Sequence, residues 1–331
     1  MQPFVNAILK WYALNGRQLP WRETNDPYAI WLSEVILQQT RIQQGTDYWM
    51  RFMLRWPNVE MLADATEDEV LRCWQGLGYY SRARNLHKAA LQIKALGHFP
   101  NTLESIRQLK GVGDYTAAAI ASIAFGLDAA VVDGNVYRVL ARHFGIDTPI
   151  NTTEGKKTFA ALADSLLPKG RAAAFNQGMM DFGAMVCTPQ SPRCGECPLA
   201  ESCEALRAGT IAQLPVKQKK LVVKTRHLIY IYLRHNGQTA IRRRGAGDIW
   251  QGLWEPLLVE NGPLPQFDGE LILKQQGVRH VLTHRVLMAD FYVANLNSRP
   301  TLPDDYIWID EKELDHYALP RLVELLVQNY L

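Results

Sequence analysis

Cys187, Cys194, Cys197 and Cys203 fall within seventeen residues, and only one further cysteine, Cys73, occurs in the 331-residue chain. Cysteines buried for packing scatter along a sequence, whereas ligands of one centre must converge. This segment therefore has to fold back around something the four sulfurs share. The spacing is C-x6-C-x2-C-x5-C with no histidine inside it. Four thiolates on a short tether suit an iron–sulfur cluster. Zinc is the competing reading; it commonly takes two tight C-x2-4-C knuckles, and only Cys194–Cys197 is tight here. Unrelated thiols are the third reading. A ligand set with one thiol left over suits a reducing cytosol better than a disulfide framework.

The length exceeds that of one ordinary hydrophobic core, which points to two domains. With 47% hydrophobic and 21% charged residues, the composition is that of a globular chain rather than a disordered one. A net charge of +3 permits nucleic-acid binding only if the basic residues gather on one face. No run approaches the ~20 apolar residues of a membrane span, and Met1–Trp11 lacks a signal-peptide run. The expectation is cytoplasmic residence with no membrane partner.

Residues 1–205 read as helices joined by short turns. Asp26-Pro27 has the form of an N-cap followed by a first-turn proline. Behind it, Ile30, Trp31, Val35 and Leu37 give the stretch from Tyr28 to Gln39 a broad apolar face. Breaks follow at Trp56-Pro57, Gly76-Leu77-Gly78 and Phe99-Pro100. Residues 206–225, with Lys217, Lys219, Lys220 and Lys224, read as an exposed basic linker. Residues 226–331 carry strand signals at Leu228–Leu233, Leu271–Leu273, Val278–Leu282, Val286–Val293 and Ile307–Ile309. Asn236-Gly237 is a hairpin signal, and a last helix is expected over Pro320–Gln328. This half reads as a small mixed α/β domain.

Leu109-Lys110-Gly111-Val112-Gly113-Asp114-Tyr115 precedes an alanine-rich stretch, with a helix expected from about Thr116. Glycines let backbone N–H groups face outward together, and a helix N-terminus adds partial positive charge. Such a nest binds a phosphate oxygen without reading sequence. An ordinary turn between two helices fits the same residues.

The ordered set of segments resembles the helix–hairpin–helix DNA glycosylase superfamily, and within it the MutY-type adenine DNA glycosylases. The segments are Leu19-Pro20-Trp21-Arg22, Ser33 to Thr40, Gly76-Leu77-Gly78-Tyr79-Tyr80, the glycine hairpin, Val132 to Leu140 and the cysteines. The resemblance implies two helical subdomains, one bearing a [4Fe–4S] cluster on Cys187, Cys194, Cys197 and Cys203, and a Nudix-like second domain. It implies a base-excision enzyme that removes adenine opposite 8-oxoguanine or guanine in double-stranded DNA, nucleoid-associated when bound. A monomer is the default expectation, since the sequence identifies no extra apolar surface.

Breaking an adenine–deoxyribose bond needs a proton on the leaving base and negative charge against an oxocarbenium-like sugar, the two-carboxylate logic of glycoside hydrolysis. Glu34 lies in an apolar helix where desolvation raises its pKa and keeps a proton available. Asp133 precedes Gly134 at a helix entrance, where backbone N–H groups favour the ionised form. The resemblance makes Glu34 the general acid and Asp133 the stabiliser of the sugar cation, with Tyr115 and Asn135 as hydrogen-bonding partners. Lyase relatives carry lysine where Tyr115 stands and attack the sugar as an amine, so base release without strand cleavage is expected.

The resemblance further places Arg22, Gln39, Thr40, Leu77, Tyr79 and the hairpin residues Gly111, Val112 and Gly113 at the DNA, with Arg82 and Arg84 meeting phosphate. Between Cys187 and Cys194 only Arg193 is basic, fewer than the family pattern. In the second domain, Arg242–Arg244 and Ile249–Pro256 resemble the start of a Nudix fold, but no metal-binding glutamate box follows. Leu282-Thr283-His284 aligns with a Phe-Ser-His lesion-reading loop; Thr283 keeps the hydroxyl, His284 is retained, and Leu282 lacks the aromatic face. Two rivals stay open: a bifunctional pyrimidine glycosylase/lyase, and a noncatalytic iron–sulfur DNA sensor.

Overall fold

The computed structural model describes residues 1–218, 224–260, 262–282 and 284–330. Thr283, and Lys219 and Lys220 of the expected linker, lie outside the described residues. The helices are α1 (Gln2–Asn15), α2 (Pro27–Ile36), α3 (Ile42–Arg55), α4 (Val59–Asp64), α5 (Glu67–Trp74), α6 (Ser81–Leu96), α7 (Leu103–Arg107), α8 (Asp114–Phe125), α9 (Gly134–Phe144), α10 (Thr153–Leu166), α11 (Ala172–Met185), α12 (Glu204–Arg207) and α13 (Arg321–Tyr330). The strands are β1 (Lys224–His235), β2 (Gln238–Arg243), β3 (Trp254–Glu255), β4 (Leu257–Val259), β5 (Gly269–Leu282), β6 (Arg285–Leu296) and β7 (Tyr306–Asp310). By internal contacts the chain forms two units, Met1–Met61 with Lys88–Lys219, and Leu62–His87 with Lys220–Leu331.

The first unit is helical. Ile8, Leu140, Phe159 and Phe182, from α1, α9, α10 and α11, meet in one core and are at most 1% exposed. Each such residue contributes about 1.5–3 kcal/mol when fully buried, so packing rather than helix propensity holds these elements. α2 begins as its sequence dictates: Asp26 accepts a hydrogen bond from Tyr28 N–H (3.0 Å) and Pro27 occupies the first turn. Nine of its ten residues are buried, and it packs on the alanine-rich α8. α2 stops at Ile36, short of the expected Gln39, and Gln39 takes φ +58°.

The expected linker is corrected over residues 206–218, which belong to this unit. Leu214 is buried. Ile150 N–H donates to Val216 O (3.0 Å), Asn151 and Gln218 exchange two hydrogen bonds, and Arg142 Nε donates to Ile211 O and Leu214 O. The lysines give the stretch a solvated look, while its apolar residues and backbone are tied down.

The second unit is built on a seven-stranded sheet with β3-β2-β1-β6-β5 as its main path. β1 and β6 run parallel from Lys224↔Arg285 to Arg234↔Asn295, and β5 pairs antiparallel with β6. Asn236 (φ +49°) and Gly237 (φ +73°) turn β1 into β2, the geometry a two-residue hairpin with right-handed strand twist requires. Leu228, Tyr230 and Tyr232 of β1 enter the core that α13 closes with Leu322 and Leu326, while Ile231 and Leu233 enter the opposite one. That alternation is the period-two signature of a strand buried on both faces. The separate strands expected at Leu271–Leu273 and Val278–Leu282 are one strand, β5, interrupted by register shifts between Leu273 and Val278.

Residues 62–87 fall in this second unit, although chain order alone assigns them to the 1–205 region. Arg243 reaches Glu67 and Asp68 (2.9 and 3.0 Å), Gln75 bonds Glu324, and Arg84 donates to Gln251 O. No helix among the described residues is long and apolar enough to cross a membrane.

Candidate active site

A cavity of about 320 Å³ opens in the first unit, its lining including Arg22, Glu34, Thr40, Tyr115, Asp133, Asn135, Gln177 and Met180. Glu34, on the nearly all-buried α2, is 8% exposed. Its Oε2 accepts a hydrogen bond from Tyr115 Oη at 2.7 Å. Burial raises the Glu34 pKa and nearby Asp133 adds to that, against the Tyr115 hydrogen bond and Arg22, which lower it; the net direction is up. Tyr115 is held well above its ordinary pKa, first by burial and then by the Glu34 and Asp133 carboxyls. The phenol therefore stays a donor, and its oxygen lies 3.6 Å from Met180 Sδ.

Asp133 is the N-cap of α9. Its Oδ1 accepts from Asn135 N–H (2.9 Å) and Val136 N–H (2.7 Å), and its Oδ2 accepts from Asn135 Nδ2 (2.7 Å). The expectation that these donors dominate is corrected: burial outweighs the three hydrogen bonds and the net shift is upward. Arg138 extends the arrangement, donating to Asn135 Oδ1 (2.9 Å), Gly183 O (2.7 Å) and Cys187 O (2.6 Å). Gly183 of α11 sits so close that a Cβ there would meet Asn135 Cβ at 2.6 Å. Only glycine lets α11 approach α9 at the point where Asn135 holds Asp133.

Arg22, expected at the DNA, lies in the cavity wall. Its two terminal nitrogens donate to Asp181 Oδ2 (2.7 Å) and Oδ1 (2.9 Å). Arg17 adds Nε (2.9 Å), its backbone N–H (3.0 Å) and Nη2 to the same carboxylate. Burial alone would raise the Asp181 pKa, but Arg22 and Arg17 outweigh it and lower it. Asp181, Arg17, Gln177 and Met180 escape the motif reading. The signal available is a run of polar residues, Asn176, Gln177 and Asp181, inside the otherwise apolar α11. Asp181→Asn strands two guanidinium groups in the wall, and removing one partner of a buried pair costs about 3–5 kcal/mol. Denaturant unfolding at neutral pH is expected to show that loss. Because the folded pKa is depressed, the contribution is complete above about pH 4 and disappears as pH falls through the folded value.

The glycine hairpin adopts its turn with Gly111 at φ +79°. Val112 is buried and its N–H is used on Leu109 O (3.1 Å), so it anchors the turn rather than facing outward. Gly111 and Gly113 are exposed, and Gly113 N-caps α8, which starts at Asp114.

In the second unit, a cavity of about 640 Å³ is bordered by Leu77, Tyr79, Trp250, His280, Leu282 and His284, among others. Leu77 is 9% exposed while Tyr79 is 49% exposed, so of these two residues expected at the DNA only the tyrosine presents its side chain. His284 is exposed. Arg84, expected at phosphate, donates to Gln251 O. Trp250, inside the Nudix-like Ile249–Pro256 segment, and His280, which no site motif singled out, face each other there with ring centroids 5.9 Å apart.

All four clustered cysteines, with Arg142, Val186 and Ile211, line one small apolar cavity. The Cys197 thiol is pushed up to about 11, first by burial and in smaller part by the other three sulfurs, against a backbone hydrogen bond from Leu199 that lowers it. Arg142 Nη1 lies 3.5 Å from Cys187 Sγ. Among the described residues no three His, Cys, Asp or Glu side chains are gathered as a single metal ion requires. A zinc ion needs every sulfur ~2.3 Å from one point, whereas a cubane cluster is held by cysteines spread around it. Four sulfurs around one apolar cavity, beside the Arg142 guanidinium, fit an iron–sulfur core. Cys73 belongs to the second unit, buried in α5.

Comparison with known proteins agrees with this construction. Residues 32–165 match the family of HhH-GPD superfamily base excision DNA repair proteins, residues 187–203 match the iron–sulfur binding domain of endonuclease III, and residues 229–329 match the NUDIX domain. Adenine DNA glycosylase of Buchnera aphidicola subsp. Acyrthosiphon pisum is 31% identical over 99% of this chain and 97% of its own. That of Mus musculus is 44% identical over 64% of this chain and 44% of its own. The structure of a thermostable thymine-DNA glycosylase superposes with TM-score 0.59 at 32% identity, covering 62% of this chain and 96% of that one. A non-covalent endonuclease III–DNA complex, at 22% identity and TM-score 0.54 over 63% of this chain and 95% of that one, shares the fold. The chain belongs to the adenine DNA glycosylase family: a helix–hairpin–helix base-excision repair protein with a [4Fe–4S] domain and a Nudix-like domain.

Proposed function

We propose that the chain flips adenine out of duplex DNA where it faces 8-oxoguanine or guanine, and hydrolyses its glycosidic bond without cutting the strand. The observation that carries this reading is the pair of buried carboxyls on one cavity: Glu34, hydrogen-bonded to Tyr115, and Asp133, held by Asn135. Glu34, its pKa raised, gives a proton to the departing purine. Asp133 faces the sugar as positive charge develops there. Tyr115 orients Glu34 and, lacking an amine, forms no Schiff base. Lesion reading is assigned to the second unit, with Tyr79 and His284 at the 8-oxoguanine, and Thr283 next to His284 in sequence. Gln39 and Thr40 fill the gap left by the everted base, and the exposed glycines of the hairpin hold a phosphate.

Cys187, Cys194, Cys197 and Cys203 hold the cluster, whose contribution when bound is to cross-link the loop whose Cys187 carbonyl Arg138 grips. The working form is a monomer in the cytoplasm. The test is base release from duplexes carrying A opposite 8-oxoguanine, A opposite G, or an oxidised pyrimidine, with and without alkaline strand cleavage. Adenine release that needs alkali to nick the strand is expected. Pyrimidine release, or a stoichiometric adduct trapped by borohydride, overturns the reading in favour of a lyase, and binding without release in favour of a sensor.

A further inference from the structure

The Gly76–Tyr80 turn of the second unit is shaped by three left-handed residues, Gly76 (φ +98°), Gly78 (φ +71°) and Tyr79 (φ +48°). Glycine adopts that region freely, but a residue with a Cβ has to be held there. The holding contacts fall on successive carbonyls of the turn. Gly78 O accepts from Trp74 Nε1 (3.0 Å) and from Arg82 Nη2 (3.3 Å), and the same Arg82 nitrogen reaches Leu77 O (3.4 Å). The Arg82 guanidinium also lies over two rings, 4.9 Å from the Trp74 centroid and 5.6 Å from that of Tyr79, and its backbone N–H closes the turn on Tyr79 O (2.9 Å). Burial lowers its pKa to about 10, the mark of a cation drawn out of water. One planar group thus touches the backbone of the strained turn and the face of the ring that the turn displays.

We infer that Arg82 is a positioning residue: it fixes the left-handed Gly78–Tyr79 backbone and aims the exposed Tyr79 ring outward for insertion at the mispair, rather than neutralising phosphate. The inference rests on the proposed DNA-facing role of Tyr79. It works by shape. A planar fork can lie on two rings and reach two carbonyls at once, which an ammonium group cannot.

The test is a double-mutant cycle on the cluster-loaded full chain, with Tyr79→Ala, Arg82→Met, Arg82→Lys and each Arg82 change combined with Tyr79→Ala. Two quantities are read: the ratio of single-turnover excision rates for A opposite 8-oxoguanine over A opposite G, and the fluorescence rise when 2-aminopurine replaces the target adenine and is everted. Tyr79→Ala and both Arg82 changes are each expected to lower the rate ratio about tenfold and shrink the fluorescence rise, with the doubles no worse than Tyr79→Ala alone, since coupled residues are not additive. Melting temperatures accompany each variant, and Arg82→Lys carries the cycle where Arg82→Met does not fold. Additive losses in the doubles, or native behaviour of Arg82→Lys, overturn the inference while sparing the role of Tyr79. A native-like Tyr79→Ala removes that role and the inference with it.

Discussion

Glu34→Gln is expected to lower single-turnover adenine release by about 10³-fold, within the range a positioned general acid supplies, while mismatched DNA still binds. The substitution keeps the shape of the side chain and an amide oxygen to accept from Tyr115, which now holds Glu34 Oε2 at 2.7 Å. What disappears is the transferable proton. The pH profile gives the sign. A donor acts only while protonated, so the native rate is expected to fall as pH rises through the folded pKa of Glu34, which burial has moved above the ordinary carboxyl value. In the glutamine variant that alkaline limb should vanish along with the rate. Stability runs in the same direction: the native fold loses stability as pH rises from the unfolded value of about 4.3 through the raised folded one, because ionising a buried carboxyl is unfavourable. Glu34→Gln, which carries no such titration, is therefore expected to gain in melting temperature over the native chain as pH rises through that window. A variant that releases adenine at the native rate removes Glu34 from the chemistry; one that melts early makes it structural.

What can be read in the sequence follows from how local each feature is. The cysteine cluster, the Asp26-Pro27 helix start and the Asn236-Gly237 hairpin are written within a few residues, because a cap, a turn or a tethered ligand set is satisfied by its neighbours. The apolar run around Glu34 is local too, and it carries the upward pKa shift with it. Arg22 shows the limit. Nothing near it in sequence hints at Asp181, 159 residues away, yet that carboxylate takes both of its terminal nitrogens. Leu77 and Tyr79 illustrate a different limit. Flanking glycines signal a turn but not which side chain points inward, and the left-handed backbone at Tyr79 is a property of the folded contacts. The stretch 206–218 is obscured by the lysine-rich sequence that follows it, which gives the whole segment the composition of a solvated linker. β2 and β3 escape because Arg242, Arg243 and Glu255 break the apolar alternation. Their charge is absorbed by a pairing, Arg242 Nε to Glu255 Oε1 at 3.1 Å, that only the sheet creates.

Asp133→Asn is the sharper test of the second carboxylate, because the residue holds two positions at once. It caps α9 through Asn135 N–H and Val136 N–H, and it lines the cavity. Asparagine and aspartate are about equally good N-caps, and a side-chain amide oxygen can accept the same two backbone donors. The substitution therefore leaves the helix start in place and removes charge. One contact changes sign: Asn135 Nδ2 now donates to Asp133 Oδ2 at 2.7 Å, and an amide nitrogen there would face it as a second donor. Rotating the Asn135 amide restores that contact only by turning its oxygen away from Arg138. A modest loss of stability is thus expected beside a loss of at least ~10²-fold in excision, the scale of removing one electrostatic stabiliser from a buried transition state. The control is Asp133→Ala, which also forfeits the cap and costs about 1 kcal/mol more in folding. If the asparagine variant excises like the native chain while the alanine variant fails through unfolding, Asp133 is a cap and nothing more. If both lose excision and the asparagine variant still melts cooperatively near the native temperature, the negative charge is what the everted nucleoside requires.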